Sequence, residues 1–538
     1  VTTDTSTANR QIARAAGTIM LAFLFSQLTG LARGILVART FGASAELDAF
    51  FAANRVSETL FTLIAGGALG SAFIPAFTGL LAKNQRASAW RLASGVANLV
   101  TLGLSLLAVI AALTAPQIVR YALAPGLSQD PALFALTVNL LRLQLVSAVL
   151  FGLGGLIVGI LNAHQIFLIP ALTPALYQLG IIFGALALAP TLGIYGLAWG
   201  VVIGAALYLL VQIPTLISVF KRHSQPNTEH WSLLTGYWSL ITAPAVQQVL
   251  RLMGPRLLGV AVVQLNFWVN TWLASQMERG SVSGLTYGFS LMLMAQAAIA
   301  QSVAIAAMPT FSAQFALGKT DEMRSALAAT LRGVILLSLP AAAGLMLLRT
   351  PLIAALYQRG QFDARSTELV AWALLWYAAG LVGHAMLEIL ARAFYALHDT
   401  KTPVLVGAGA MGLNVVFSFL FAALFRQVGW LPLGGLALAN SLATALEAAI
   451  LFALMRRRLN GLHAREVLKG LGQALLAALG MAIGLLAWIQ ATGSLNRWVI
   501  TLGGVALGGL VYGLGMILLK IPELQLVFSM VRKRLSGS

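Results

Sequence analysis

Ionisable side chains are scarce in the apolar runs of this 538-residue chain, so each one found inside a run could bind a charge or move a proton. Gln27, Gly30, Arg33, Gly34 and Val37 recur at helical spacing, and Ser26, Gly30 and Gly34 give a small-xxx-small seam beside them. Arg33 therefore reads either as a cation facing a cavity, able to hold an anionic group, or as an arginine snorkelling to the outer headgroups. On the next helix Asp48 and Arg55 stand two turns apart, with Glu58 one turn further. Asp48 has a second reading, as a helix cap or as the partner of Arg39 or Arg55. Gly66, Gly67 and Gly70 follow, and they give that helix either a gating hinge or a plain packing kink. His384, Glu388 and Arg392 fall at i, i+4 and i+8 of a later helix. A buried Glu beside a His can bind a proton or a cation, and a local Glu388–Arg392 ion pair is the alternative. Glu447 is a lone carboxylate with the same ambiguity. Tyr287, Ser290, Met294 and Gln301 line a further helix, where packing between helices accounts for them.

Enzymatic chemistry finds no support in these residues. The sequence has no H-E-x-x-H and no G-x-S-x-G, and Gly318-Lys319-Thr320 lacks the upstream glycine of a phosphate-cradling loop. The absence of cysteine excludes disulfides and thiol chemistry, and no metal site or cofactor is expected. Without a nucleotide site, uphill movement of a solute must draw on an ion gradient, Na+ or H+, or on the membrane potential, which supplies about 2.3 kcal/mol per charge per 100 mV. A secondary transporter is the class that fits.

The elements that position these groups are membrane helices. Residues that are 59% hydrophobic and only 9% charged cannot cover the surface of a soluble protein of this length. The predicted fold class is an all-α polytopic membrane protein with about fourteen transmembrane helices. The spans begin near Ile12, Leu47, Trp90, Pro131, Gln165, Gly193, Leu252, Gly280, Glu322, Thr367, Thr402, Leu431, Glu466 and Asn496. If the N-terminus is cytoplasmic, alternate turns hold most of the basic residues, among them Arg10, Lys83, Arg222, Lys319, Lys401 and Arg456 to Arg458, while the opposite turns hold only about eight. That bias puts both termini in the cytoplasm and turns the net charge of +18 into a topology signal, with some attraction to anionic lipid. Basic residues spread over many turns do not form a nucleic-acid stripe, so no nucleic-acid partner is expected. The polar start, Val1 to Asn9, does not read as a signal peptide.

An internal duplication organises the spans. Ala72 to Leu92 and Ala306 to Ala326 each contain Pro-x-Phe, a polar turn with basic residues, and a new apolar helix. The interval of about 234 residues recurs, since Pro116 to Gly126 echoes Pro351 to Gly360 and Ala163 to Pro170 echoes Ala396 to Pro403. Paired segments fall on one side of the membrane, so the repeat is parallel, and the seam between halves is the expected substrate route. The expected domains are residues 1–222 as an N-terminal lobe, 223–250 as a linker, 251–459 as a C-terminal lobe, and 460–538 as a last helix pair with a basic tail. In the linker, Trp231, Tyr237 and Trp238, with Gly236 and Pro244, predict a helix lying on the cytoplasmic face, although a spanning one is the alternative.

The run Ser26 to Gly42, with Leu47-Asp-Ala-Phe-Phe51, Gly67 to Pro75, Gly254-Pro255, Gly280 to Ser283, Pro309 and Lys401-Thr402-Pro403, resembles the MurJ (MviN) family over most of the chain. That family comprises lipid II flippases of the multidrug/oligosaccharidyl-lipid/polysaccharide exporter superfamily. The resemblance implies a bacterial inner-membrane protein with two pseudo-symmetric lobes of about six helices each, a central cationic cavity with alternating access, and a final helix pair that grooves a polyprenyl tail. It implies a substrate-binding set of Arg33, Asp48, Arg55 and Arg256, together with Gln27 and Ser290. Gln27, Phe61 and Ser290 stand where family members usually carry arginine, and Gly34 where they carry aspartate. Partners would be a lipid-linked glycan, membrane lipids and proteins of cell-wall synthesis. Two other readings stay open, an ion-coupled exporter of a smaller amphiphile and a non-transporting homologue acting as a membrane scaffold.

Overall fold

The computed structural model describes residues 22, 25–63, 73–223 and 244–521, without the side chains of 222, 223, 244, 245, 248–256, 258 and 259. Described residues form helices joined by short turns, with no strand among them. This is the arrangement lipid imposes, because a helix satisfies its own backbone donors and acceptors. The chain separates into two compact units, Val1–Arg279 and Gly280–Ser538.

The first unit contains α1 (25–41), α2 (Ala45–Phe61), α3 (Ile74–Ala82), α4 (Arg86–Leu113), α5 (Pro131–Ala163), α6 (Leu168–Leu192), α7 (Ile194–Lys221) and α8 (Pro244–Ser275). Ser44 caps α2 by accepting from Leu47 N at 3.2 Å, and Asp130 caps α5 ahead of Pro131, which as the first helical residue loses no hydrogen bond. Phe73, Phe77, Trp90, Val96, Leu156 and Leu161 form a core between α3, α4 and α5. Glycine brings α6 and α7 together: a Cβ at Gly180 would lie 2.3 Å from Gly204 Cα, and one at Gly204 would lie 2.5 Å from Tyr177 O. Only glycine permits so close an approach of two backbones.

The second unit contains α9 (Ser281–Ala316), α10 (Thr320–Leu347), α11 (Ala364–Ala379), α12 (Leu381–Ala396), α13 (Lys401–Val428), α14 (Leu433–Arg458), α15 (Ala464–Thr492) and α16 (Arg497–Leu518). The last pair docks on α10 through Ile335, Leu336, Met481 and Leu485, and Tyr512 donates to Leu336 O at 2.8 Å. Their outward faces carry exposed Leu476, Leu479, Ile483, Leu502, Leu510 and Leu514, as a surface solvated by hydrocarbon requires.

Ten described helices are long and apolar enough to cross a membrane, and α11 with α12, bent by 48° at Gly380, makes an eleventh. They fall at the expected starts from Trp90 to Asn496, Leu252 excepted. The expected spans at Ile12, Leu47 and Leu252 involve residues outside the described set, so the described residues account for ten or eleven of the expected fourteen or so. The segment from Trp231 to Ile241 also lies outside that set, whereas Pro244 already opens the long helix α8.

Each unit repeats the other's local structure. Helices α4 and α10 are both 28 residues long. The turn before each holds a left-handed residue, Asn84 at φ 57 and Gly318 at φ 69. Gln85 N bonds to Leu80 O and Lys319 N to Gln314 O, both at 2.9 Å. Gln165 and His398 pair likewise, at φ 61 and 58, with Ile166 N on Leu161 O and Asp399 N on Phe394 O, both at 3.0 Å. These are the hydrogen bonds of a Schellman helix end, written twice at an interval of about 234 residues.

Candidate functional site

Arg33 lies half-buried on α1, and among the described residues it has no carboxylate partner. The seam glycine Gly30 faces α6, where its Cβ would lie 3.7 Å from Gln178 Nε2, and Gln178 Oε1 is buried with no hydrogen-bond partner among the described residues. The neighbouring Tyr177 lies within electrostatic reach of both Arg33 and Glu58. The small-residue seam thus does what its spacing predicts. It brings α1 against α6 and puts Arg33 within electrostatic reach of Tyr177. Gln27 is half-buried on the same helix, six residues before Arg33.

Arg55 is held differently. It pairs with Glu58 at 2.9 Å, lies over the Phe267 ring at 5.0 Å from its centroid, and keeps Nε buried without a partner. Stacking on an aromatic face contributes about 0.5–2 kcal/mol and fixes the guanidinium plane. Thr59, one turn on, donates to Arg55 O at 2.7 Å and accepts from Trp268 Nε1 at 2.8 Å, which ties α2 to α8. Asp48 is only 2% exposed and has a partner in the structure, while the cap of its helix is Ser44. Phe61, at a position where the resemblance expects a cation, instead packs tilted against Phe151, with ring centroids 5.1 Å apart, and Phe151 in turn meets Tyr177 at 4.8 Å and Tyr208 at 5.3 Å. An aromatic wall fills the room an arginine would take. Arg256 lies on α8 with its side chain outside the described set, and Gly66, Gly67 and Gly70 lie outside it altogether.

The remaining candidates belong to the second unit. Ser290 donates to Thr286 O of its own helix at 2.7 Å. On α12 the predicted ion pair is present, with Arg392 bonded to both the carboxylate and the carbonyl oxygen of Glu388. Gln296 donates to the other Glu388 oxygen at 3.3 Å, and His384 Nε2 lies 3.1 Å from Asn440 Oδ1 on α14. Glu447 is 6% exposed, and its Oε2 has no hydrogen-bond partner among the described residues. Among the described residues no cluster could hold a metal ion.

Two acidic residues in turns outside the spans are held as carboxylates. Asp363 caps α11, and the Ser366 backbone N–H, 2.8 Å away, lowers its pKa below the usual value, helped by the Ser366 hydroxyl and Arg365. Asp399 is shifted the same way, first by the Thr402 N–H at 3.0 Å, then by the Thr402 hydroxyl at 2.7 Å and by Arg458. Hydrogen bonds to the charged form are the cause in both.

Sequence reasoning missed Tyr177, Gln178 and the Thr59–Trp268 tie. Their partners lie far away in the chain, and neither spacing nor composition carries a signal for them.

Comparison with known proteins places this arrangement. The family model "Lipid II flippase MurJ" matches residues 37–502. The chain is 33% identical over 439 residues to the lipid II flippase MurJ of Burkholderia cenocepacia, covering 81% of this chain and 82% of the relative. It is 30% identical over 508 residues to the probable lipid II flippase MurJ of Vibrio cholerae, covering 91% and 92%. A solved lipid II flippase MurJ in an inward closed conformation shares the fold with a TM-score of 0.75 at 24% identity, over 97% of this chain and 99% of that one. An inward-facing multidrug resistance MATE transporter of the MOP superfamily shares it with a TM-score of 0.67 at 16% identity, over 82% and 96%. Helical architecture, motif-bearing first helices and long matched length all agree, and the chain belongs to the lipid II flippase MurJ family.

Proposed function

We propose that this chain moves lipid II, a polyprenyl-pyrophosphate-linked glycan, across the bacterial inner membrane by alternating access and without hydrolysing ATP. The observation that carries the reading is the match to lipid II flippases over residues 37–502, together with relatives that share 30% identity or more across most of both chains. It is a transporter, not an enzyme. The multi-pass helices supply the membrane path, and the basic bias of alternate turns supports termini on the cytoplasmic side.

Arg33 is the group we assign to the pyrophosphate. A cation already paired to a carboxylate would have to break that pair to bind an anion, and Arg33 has no such pair among the described residues. Each charge-assisted hydrogen bond to a phosphoryl oxygen contributes about 1.5–3 kcal/mol. Arg55 is partly neutralised by Glu58 and serves as a secondary, steering cation. Gln27, half-buried on the helix that carries Arg33, offers the headgroup hydrogen bonds rather than a charge. Cell-wall synthesis proteins are the partners that would consume the outward-facing product.

The test is reconstitution of the full chain into vesicles carrying labelled lipid II in one leaflet. Appearance of label in the other leaflet, above empty vesicles, supports the reading. Equal rates with and without protein would overturn it.

A further inference from the structure

We propose that Glu447 is the proton-binding group of this flippase. Its carboxyl is neutral in the conformation described and releases its proton when the contact between α13 and α14 admits water. The inference rests on the flippase reading and adds the driving ion to it.

Four observations carry it. Glu447 is 6% exposed, and its Oε2 has no hydrogen-bond partner among the described residues. It lies about 21 Å along α14 from Leu433 and about 16 Å from Arg458, near the middle of the span. Its Oε1 rests 3.0 Å from where a Cβ of Gly407 on α13 would be, so the carboxyl sits against α13 where that residue has no side chain. No cation pairs with it among the described residues. An ionised carboxylate in such a place costs several kcal/mol, which a proton on the carboxyl removes.

The charged groups on the surrounding helices are engaged or remote. On α12, His384 meets Asn440, and Glu388 is paired with Arg392 and bonded by Gln296. On α13, Lys401 and Arg426 sit at or near opposite ends, and on α14 Arg456 to Arg458 form the last turn. On α11, Arg365 and Glu368 lie in the first turns, and on α9 Tyr287 packs against Tyr357 and Phe362. Glu388, the other acidic candidate of this unit, is already paired with Arg392. Asp48, equally buried in the first unit, has a partner. The proposed step is a simple exchange: the carboxylic O–H gives its proton to water, leaving carboxylate and hydronium, and the reverse reloads it.

Two measurements on the purified full chain test this. The first is infrared difference spectroscopy of the parent and Glu447→Gln at neutral pH, reading the C=O stretch of a protonated carboxylic acid. The proposal predicts a band that shifts in heavy water and is missing from the variant. Identical spectra would overturn it whether or not lipid II is the substrate. The second is lipid II flipping in vesicles under an imposed proton or sodium gradient. The parent should flip several-fold faster when the receiving side is acid, Glu447→Asp should keep that response, and Glu447→Gln should flip at one gradient-independent basal rate. A parent that flips at a rate indifferent to the proton gradient would overturn the proposal while leaving the flippase reading intact. No flipping by the parent under any gradient would instead overturn the flippase reading, with the infrared result still deciding the protonation of Glu447. The amide of Gln mimics the neutral acid, so a Gln variant that fails to fold beside a folded Asp variant would show that charge is needed there, and would also overturn it.

Discussion

Arg33 and Arg55 differ in what neutralises them, and the difference sets how much each can give to a ligand. Arg55 is shared with Glu58 and Phe267, whereas Arg33, within electrostatic reach of Tyr177, has no paired carboxylate among the described residues. Arg33→Ala should therefore slow lipid II flipping about ten- to a hundredfold, as the loss of one charge-assisted hydrogen bond implies, with thermal stability unchanged. Arg55→Ala should slow it less. An Arg33→Ala protein that flips like the parent in vesicles would return Arg33 to the role of a headgroup anchor. Asp399 makes a separate prediction. Its pKa is lowered in the folded chain, so its contribution to stability is complete above the usual carboxylate range and disappears as pH falls through the folded-state value. Asp399→Ala should lose about 1–2 kcal/mol at neutral pH, seen as a lower melting temperature in detergent, and the gap from the parent should close in acid.

Among the elements, the α6–α7 crossing is where the fold tolerates least. Gly180, Gly184, Gly200 and Gly204 put backbone on backbone, and a Cβ at Gly200 would stand 2.9 Å from Gly180 O. Gly200→Val should separate the two helices, displace Tyr177, and destabilise by about 1–3 kcal/mol or more. Gly103 on α4 faces open space, so Gly103→Ala should be neutral or slightly stabilising in the same thermal assay. The elements themselves were legible because apolar length and polar turns are local properties. Even the left-handed turns at Asn84, Gln165, Gly318 and His398 lie where the repeat marks a helix end. The 48° bend at Gly380 was not legible, because Gly380 bends where Ser441 of α14 presses against it, and that contact spans the sequence. The same limit hid the partners of the site. Glu388 with Arg392 was readable at i and i+4, whereas Tyr177 beside Arg33 and Trp268 on Thr59 were not.

For the whole molecule, duplication explains why the two units share the 28-residue helices α4 and α10 and the same left-handed helix ends while their polar contents differ. The first unit holds Arg33, which has no carboxylate partner among the described residues, and an aromatic wall. The second holds the His384–Asn440 contact, the Glu388–Arg392 pair and Glu447, which no cation pairs with among the described residues. In our account the first binds the anionic headgroup and the second carries the proton, a division that follows from which charges lack partners. The measurement that bears most directly on it is lipid II translocation by the full chain in vesicles, with Arg33→Ala run beside the parent. The account predicts transfer of label between leaflets by the parent and about a ten- to hundredfold slower transfer by the variant. Label that stays in its original leaflet with the parent protein present would contradict it.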